Sequence, residues 1–94
     1  MKTNTDYILW AEKLKAIAHP VRLVILHRLM KGSFTAQDIM DEFEISQPAV
    51  SQHIAVMRRL GIIRCKKKGI MMCYGIVDPA ITEVLQVVLT EKGG

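Results

Sequence analysis

Apolar positions three and four residues apart mark out helices over most of the chain. Residues 6–18 read as the first: Tyr7, Leu14 and Ala18, with Ile8 and Ala11 or Ile17, follow that spacing, Trp10 adds a large apolar body and Asp6 can cap the start. His19-Pro20 interrupts, because proline disfavours helix in the residue before it and suits a helix start. A second helix is predicted over residues 20–30, where Val21, Val24, Ile25, Leu26, Leu29 and Met30 leave little polar face, so it should be deeply buried; Lys31-Gly32 ends it. Thr35-Ala36-Gln37-Asp38 resembles a capping box and opens a short helix running to about Phe43, with Ala36, Ile39, Met40 and Phe43 inward. Glu44-Ile45 is the turn. Ser46 caps the next helix, Pro48 lies in its first turn, and Val50, Ile54, Met57 and Leu60 form its inner stripe before Gly61 closes it.

Residues 62–66 and 70–77 change to a strand-like pattern around Lys67-Lys68-Gly69, which predicts a β-hairpin with glycine at positive φ. Asp78-Pro79 starts a last helix over residues 79–90, and Gly93-Gly94 is expected to be a frayed tail. The predicted fold is mainly α with a β-hairpin wing, in the order ααααββα, as a single domain over residues 1–94.

Composition changes this picture in two ways. Half of the 94 residues are apolar and mean hydropathy is +0.20, a surplus for so short a chain. The excess concentrates in residues 7–17 and 81–89, which points to association. The formal net charge of +4 is also uneven. Residues 1–57 sum to zero, residues 58–77 carry six basic and no acidic side chains, and residues 78–94 carry three acidic and one basic. A neutral body with a basic block suits nucleic acid or an anionic surface. No apolar run is long enough to span a bilayer, the N-terminus lacks a signal-peptide core, and two cysteines without export signals do not make a disulfide framework. The expected compartment is the reducing cytoplasm, with no membrane partner.

The third and fourth helices around a tight turn describe a helix-turn-helix, and the hairpin after them a wing. Gln47, Ser51, Gln52 and Arg58 lie on the outer face of the fourth helix, between small Ala49 and Ala55. Glutamine can pair with adenine, serine with several bases, and arginine with guanine or phosphate. Arg64, Lys66, Lys67 and Lys68 on the wing suit phosphate contact along double-stranded DNA.

Four segments carry a family resemblance: Ala18-His19-Pro20-Val21-Arg22-Leu23, Ile45-Ser46-Gln47-Pro48-Ala49-Val50-Ser51-Gln52-His53-Ile54, Leu60-Gly61-Ile62-Ile63 and Cys73-Tyr74-Gly75-Ile76. Together they resemble the ArsR/SmtB family of winged-helix regulators over about residues 10–90. The resemblance implies a homodimer joined by its first and last helices, here Tyr7, Ile8, Trp10, Ala11, Leu14, Ile81, Val84, Leu85 and Val88. It implies repression at a pseudo-palindromic operator, relieved by an inducer that is not legible here. Base reading would fall to Gln47, Pro48, Ser51 and Gln52, beside the cap Ser46. His53 matches a position near the DNA, or it packs and hydrogen-bonds within the motif.

The family's usual metal sites do not match. Asp38-Ile39-Met40-Asp41-Glu42 lacks the Cys-x-Cys pair, and residues 78–94 contain no histidine. No metal or other cofactor is therefore expected, although Met40, Met71 and Met72 leave a soft-metal or metalloid response as an alternative. Cys65 and Cys73 form a possible redox switch. In a register with a Lys68-Gly69 loop they face opposite sides; with a loop centred on Gly69 they become cross-strand partners. Both can instead be small buried hydrophobes. A winged-helix module for a protein partner is the other alternative. An enzyme is not expected, since no phosphate loop or nucleophile–base arrangement occurs.

Overall fold

A computed structural model describes residues 2–90; the expected tail Gly93-Gly94 lies outside them. The order is α1 (Asn4–Ile17), α2 (Pro20–Lys31), α3 (Ala36–Phe43), α4 (Gln47–Arg59), β1 (Ile63–Lys68), β2 (Met71–Ile76) and α5 (Pro79–Leu89). Five helices and one antiparallel hairpin thus follow the expected ααααββα order. No described helix is long and apolar enough to cross a membrane.

Local chemistry sets each helix start. Thr3, not Asp6, caps α1: the Thr3 hydroxyl accepts from the Asp6 amide, and the Asp6 carboxylate accepts from the Thr3 amide at 2.9 Å. Asp6 is therefore the third residue of a reciprocal capping box, and α1 begins two residues earlier than expected. His19 caps α2 by accepting from the Val21 amide at 3.1 Å. The hydroxyls of Thr35 and Ser46 cap α3 and α4. Gly32 ends α2 in the left-handed conformation, at φ 70°.

The core lies where α2 crosses the other helices. Ile25 and Leu26 of α2, Ile39 of α3, Val50, Ile54 and Met57 of α4, Ile62 and Ile63 at the start of the wing, and Ile81 and Leu85 of α5 form one buried cluster. The stripe expected on α4 is the buried one, apart from half-buried Leu60. On α2 only Val21, Ile25 and Leu26 are fully buried, so that helix is less enclosed than its composition predicts.

Two expectations for α5 are overturned. The family resemblance implies Ile81 and Leu85 in a dimer surface, but both are 0% exposed within the single chain. Their side chains complete the protomer's own core and cannot reach a partner. Val84 is half-buried against that core, and Val87 and Val88 are the exposed apolar residues of the helix. On α1, Tyr7, Ile8 and Leu14 are exposed, Ala11 is exposed, and Trp10 packs partly onto the core.

Candidate nucleic-acid interface

The turn between α3 and α4 is short because Glu44 adopts a left-handed conformation, φ 52°, which reverses the chain in one residue. The Ile45 amide then donates to the Met40 carbonyl at 3.2 Å, and Ser46 starts α4. With Val50, Ile54 and Met57 held inward, the opposite face of α4 is presented to solvent. Gln47, Pro48, Ser51, Gln52 and Arg58 are all exposed on it. Ser46 is exposed too; its oxygen accepts from Ala49, which leaves the hydroxyl hydrogen free to donate.

The wing differs from its expected boundaries. Lys67 and Lys68 belong to β1, and the turn is the two residues Gly69-Ile70. Gly69 at φ 61° followed by a residue without positive φ fits a type II′ hairpin turn. The pairing is Ile63↔Ile76, Arg64↔Gly75, Cys65↔Tyr74, Lys66↔Cys73, Lys67↔Met72 and Lys68↔Met71. Neither register considered for the cysteines is this one. Side chains alternate across a sheet, so Cys65 shares a face with Tyr74, and Cys73 shares the other face with Lys66. The cysteines therefore point away from each other, and a direct cross-strand disulfide is ruled out in this register. Both are free; Cys65 is half-buried and Cys73 exposed.

This alternation also divides the cations. Arg64, Lys66 and Lys68 lie on one face with Met71 and Cys73, and Lys67 lies on the other with Cys65, Met72 and Tyr74. The second face closes onto the body. The Tyr74 ring meets Phe34 edge-on at 5.8 Å, and an Arg58 guanidinium nitrogen lies 3.7 Å from the Cys65 sulfur. Burial, reinforced by the neighbouring Cys65, raises the Tyr74 pKa, so the phenol stays neutral at the wing base. Ser51, Gln52, Ala55 and Arg58 share one cleft with Cys65, Met72 and Tyr74, so α4 and the wing form a continuous surface.

His53 sits apart from that surface. It is half-buried, and its Nδ1 accepts from the Arg22 Nε at 3.0 Å, so that nitrogen is not open to DNA. In the sequence Arg22 stands out only as part of the Ala18–Leu23 segment, which implies no role for it. A charged side chain in the first turn of the mostly apolar α2, half-buried in the fold, was the available signal that a polar partner was needed. His27 is half-buried on α2. Among the described residues, no group of three or more His, Cys, Asp or Glu side chains converges as a metal site would require.

The sequence pattern of the arsR family of bacterial regulatory proteins matches residues 19–64, which span α2 to the first strand of the wing. A helix-turn-helix transcriptional regulator of Methanocaldococcus jannaschii is 37% identical over 79 residues, covering 83% of this chain and 89% of that protein. The chain belongs to the ArsR/SmtB family. Two solved relatives share its architecture. The transcriptional repressor PagR of Bacillus anthracis superposes with a TM-score of 0.76 at 28% identity, over 92% of this chain and 99% of the other. The transcriptional repressor BigR from Xylella fastidiosa gives 0.73 at 26% identity, over 95% of each. This ArsR/SmtB protein is a DNA-binding transcriptional regulator of the repressor type.

Proposed function

We propose that this ArsR/SmtB repressor acts in the cytoplasm as a homodimer of single winged-helix domains on a pseudo-palindromic operator. The observation that carries the proposal is the continuity of the exposed polar face of α4 with the cation-bearing wing. Gln47, Pro48, Ser51 and Gln52 read base edges in the major groove, and Ser46 and Arg58 flank them. Arg64, Lys66 and Lys68, alternating along one wing face, follow the phosphate backbone; Lys67 reaches it from the other face. His53 supports α4 from behind. The dimer surface comprises Tyr7, Ile8, Ala11 and Leu14 of α1 with Val84, Val87 and Val88 of α5, and Trp10 at its edge. A twofold axis through these helices sets two copies of α4 on successive major grooves.

Selection of bound duplexes from a random pool tests this. The expected product is two inverted half-sites about 10 base pairs, or a multiple of that, apart. Gln52→Ala should relax base preference within each half-site. Lys66→Ala should weaken all duplexes alike and reduce the salt slope by about one per protomer. Recovery of unrelated sequences, or a salt-independent affinity, would refute base-specific binding by this face.

A second reading, a thiol-responsive repressor, draws on Cys73. It is exposed and its cross-strand partner is Lys66, so an anionic adduct on its sulfur would stand among the phosphate-contacting cations. Mild oxidation is expected to leave no intrachain Cys65–Cys73 bond, seen as an unchanged intact mass. Mixed-disulfide formation with oxidised glutathione is expected to lower operator affinity, and Cys73→Ser should abolish that loss. Equal affinity with and without the adduct discards a thiol response through the wing.

A further inference from the structure

Arg22 touches both neighbouring helices at once. Its Nη1 donates to the Ala16 carbonyl in the last turn of α1 at 3.0 Å, and its Nε donates to His53 Nδ1 in the middle of α4 at 3.0 Å. The His53 ring lies 4.6 Å from the ring of His19, whose own Nδ1 caps α2. One guanidinium therefore ties the helix that carries the exposed Tyr7, Ile8 and Leu14 to the helix that reads DNA. Arginine suits this because its donors are held in a rigid plane.

An imidazole nitrogen that accepts a hydrogen bond carries no proton. His53 is thus neutral, with its hydrogen on Nε2. A second proton would go to Nδ1 and face the Arg22 Nε–H, donor against donor and cation against cation. The titratable and charged neighbours that act on the ring are His19 and the cation Arg22, both on the α2 side. Glu12 and Lys15 of α1 line the cleft beside Arg22, but the ion pairs among the described residues are Lys13–Asp78 and Arg28–Glu42, so no carboxylate neutralises the cluster. From α3 and β1, which also pack on α4, no charged group acts on His53.

We propose that Arg22 is a positioning residue for DNA binding, holding α4 in register with α1 only while His53 is neutral. Two half-sites are read together only when both copies of α4 keep a set angle to the dimer-forming helix, so this rests on the dimeric reading above. Burial, then the electrostatic influence of the neighbouring His19 and Arg22, holds the His53 pKa below the ordinary histidine value. The acceptor form therefore prevails at neutral pH. As pH falls through that lowered value, His53 takes up a proton and the Arg22 bond is lost. Acid also makes the whole protein more positive, which by itself favours any duplex. Specific and non-specific binding should therefore respond to acid in opposite senses.

The test uses the full chain, a duplex recovered by selection and a scrambled duplex of equal length. Between about pH 8 and about pH 5, the Kd for the selected duplex is expected to rise about tenfold, the scale of one charge-assisted hydrogen bond. The Kd for the scrambled duplex should not rise. His53→Asn keeps an acceptor near the Nδ1 position but cannot titrate, so it should retain the neutral-pH affinity and lose the acid step. Arg22→Lys keeps the charge but cannot form both bonds, so it should bind at every pH about as the wild type does in acid. In the free protein, nitrogen NMR should report the Nε2–H tautomer for His53. An undiminished acid step in His53→Asn, or an Nδ1–H tautomer, overturns the proposal. A selected duplex with a single half-site overturns the dimeric reading instead, and the tautomer still decides the clamp.

Discussion

Leu85→Ala is expected to lower the unfolding free energy by about 3 kcal/mol, within the range for truncating a fully buried leucine. Leu85 is 0% exposed and belongs to the cluster that joins α5 to α2 and the wing. The lost contacts lie within one protomer, so the cost should be similar at every protein concentration, apart from the mass-action contribution that any dimer makes. Val88→Asp, one turn further on, provides the contrast. Val88 is 63% exposed, so its substitution should change the unfolding free energy of the isolated protomer by no more than about 0.5 kcal/mol. Its effect should appear in sedimentation, as a shift toward monomer. Urea unfolding at several protein concentrations, run beside sedimentation, separates the two. A Leu85→Ala protein as stable as the wild type but monomeric would return that residue to the interface.

Asp78→Ala should cost about 2–3 kcal/mol. One carboxylate oxygen accepts from the amides of Ala80 at 3.0 Å and Ile81 at 3.3 Å; the other accepts from Lys13 at 2.6 Å. Losing a helix cap costs about 1 kcal/mol. The rest comes from Lys13, left without a partner at a site where its side chain is only 15% exposed. That penalty falls short of a fully buried pair because the long side chain can swing its ammonium toward water. Asp78→Asn keeps an acceptor for the cap and loses only the charge, so it should cost less than alanine. The pH dependence follows. Burial raises the Asp78 pKa, but the Lys13 bond and the amides of Ile81 and Ala80 together outweigh it, so the folded pKa lies below the usual carboxylate value. The contribution is thus fully present above about pH 4 and fades as pH falls through the lowered value. Denaturant curves at neutral and acidic pH check this: the gap between wild type and Asp78→Asn should narrow in acid. A gap that stays constant would show that the ion pair contributes nothing.

What was legible in the sequence was what local chemistry controls. Gly32, Pro48 and Pro79 act through their own backbone and Ser46 through a hydroxyl bonded three residues on, and the element boundaries they predict agree with the structure to within one residue. The outer face of α4 could be read because its inner stripe has strict helical spacing. The wing register could not, because it depends on which two residues turn, and Lys67, Lys68, Gly69 and Ile70 contain only one strong turn former. The Lys68-Gly69 register gives the cysteines the opposite faces they have, whereas the Gly69-centred one, a single position away, makes them cross-strand partners. The fate of α5 was hidden for another reason. Ile81, Leu85, Val87 and Val88 are equally apolar, and only the position of α2 decides which of them it covers. Arg22 was missed because its two partners lie on other elements, six and thirty-one residues away.

The alternation of side chains along the wing has a consequence for how its length can vary. Residues added at Gly69-Ile70 lengthen the tip and leave the pairing below it intact, so Arg64, Lys66 and Lys68 keep their common face. A single residue inserted or deleted within β1 would, if the turn stayed in place, exchange the two faces of the strand on one side of the change. The cations would then face the body of the protein and Cys65 would face out. Relatives with the same interface should therefore differ in wing length at the tip, and within a strand only by even numbers or with a compensating bulge.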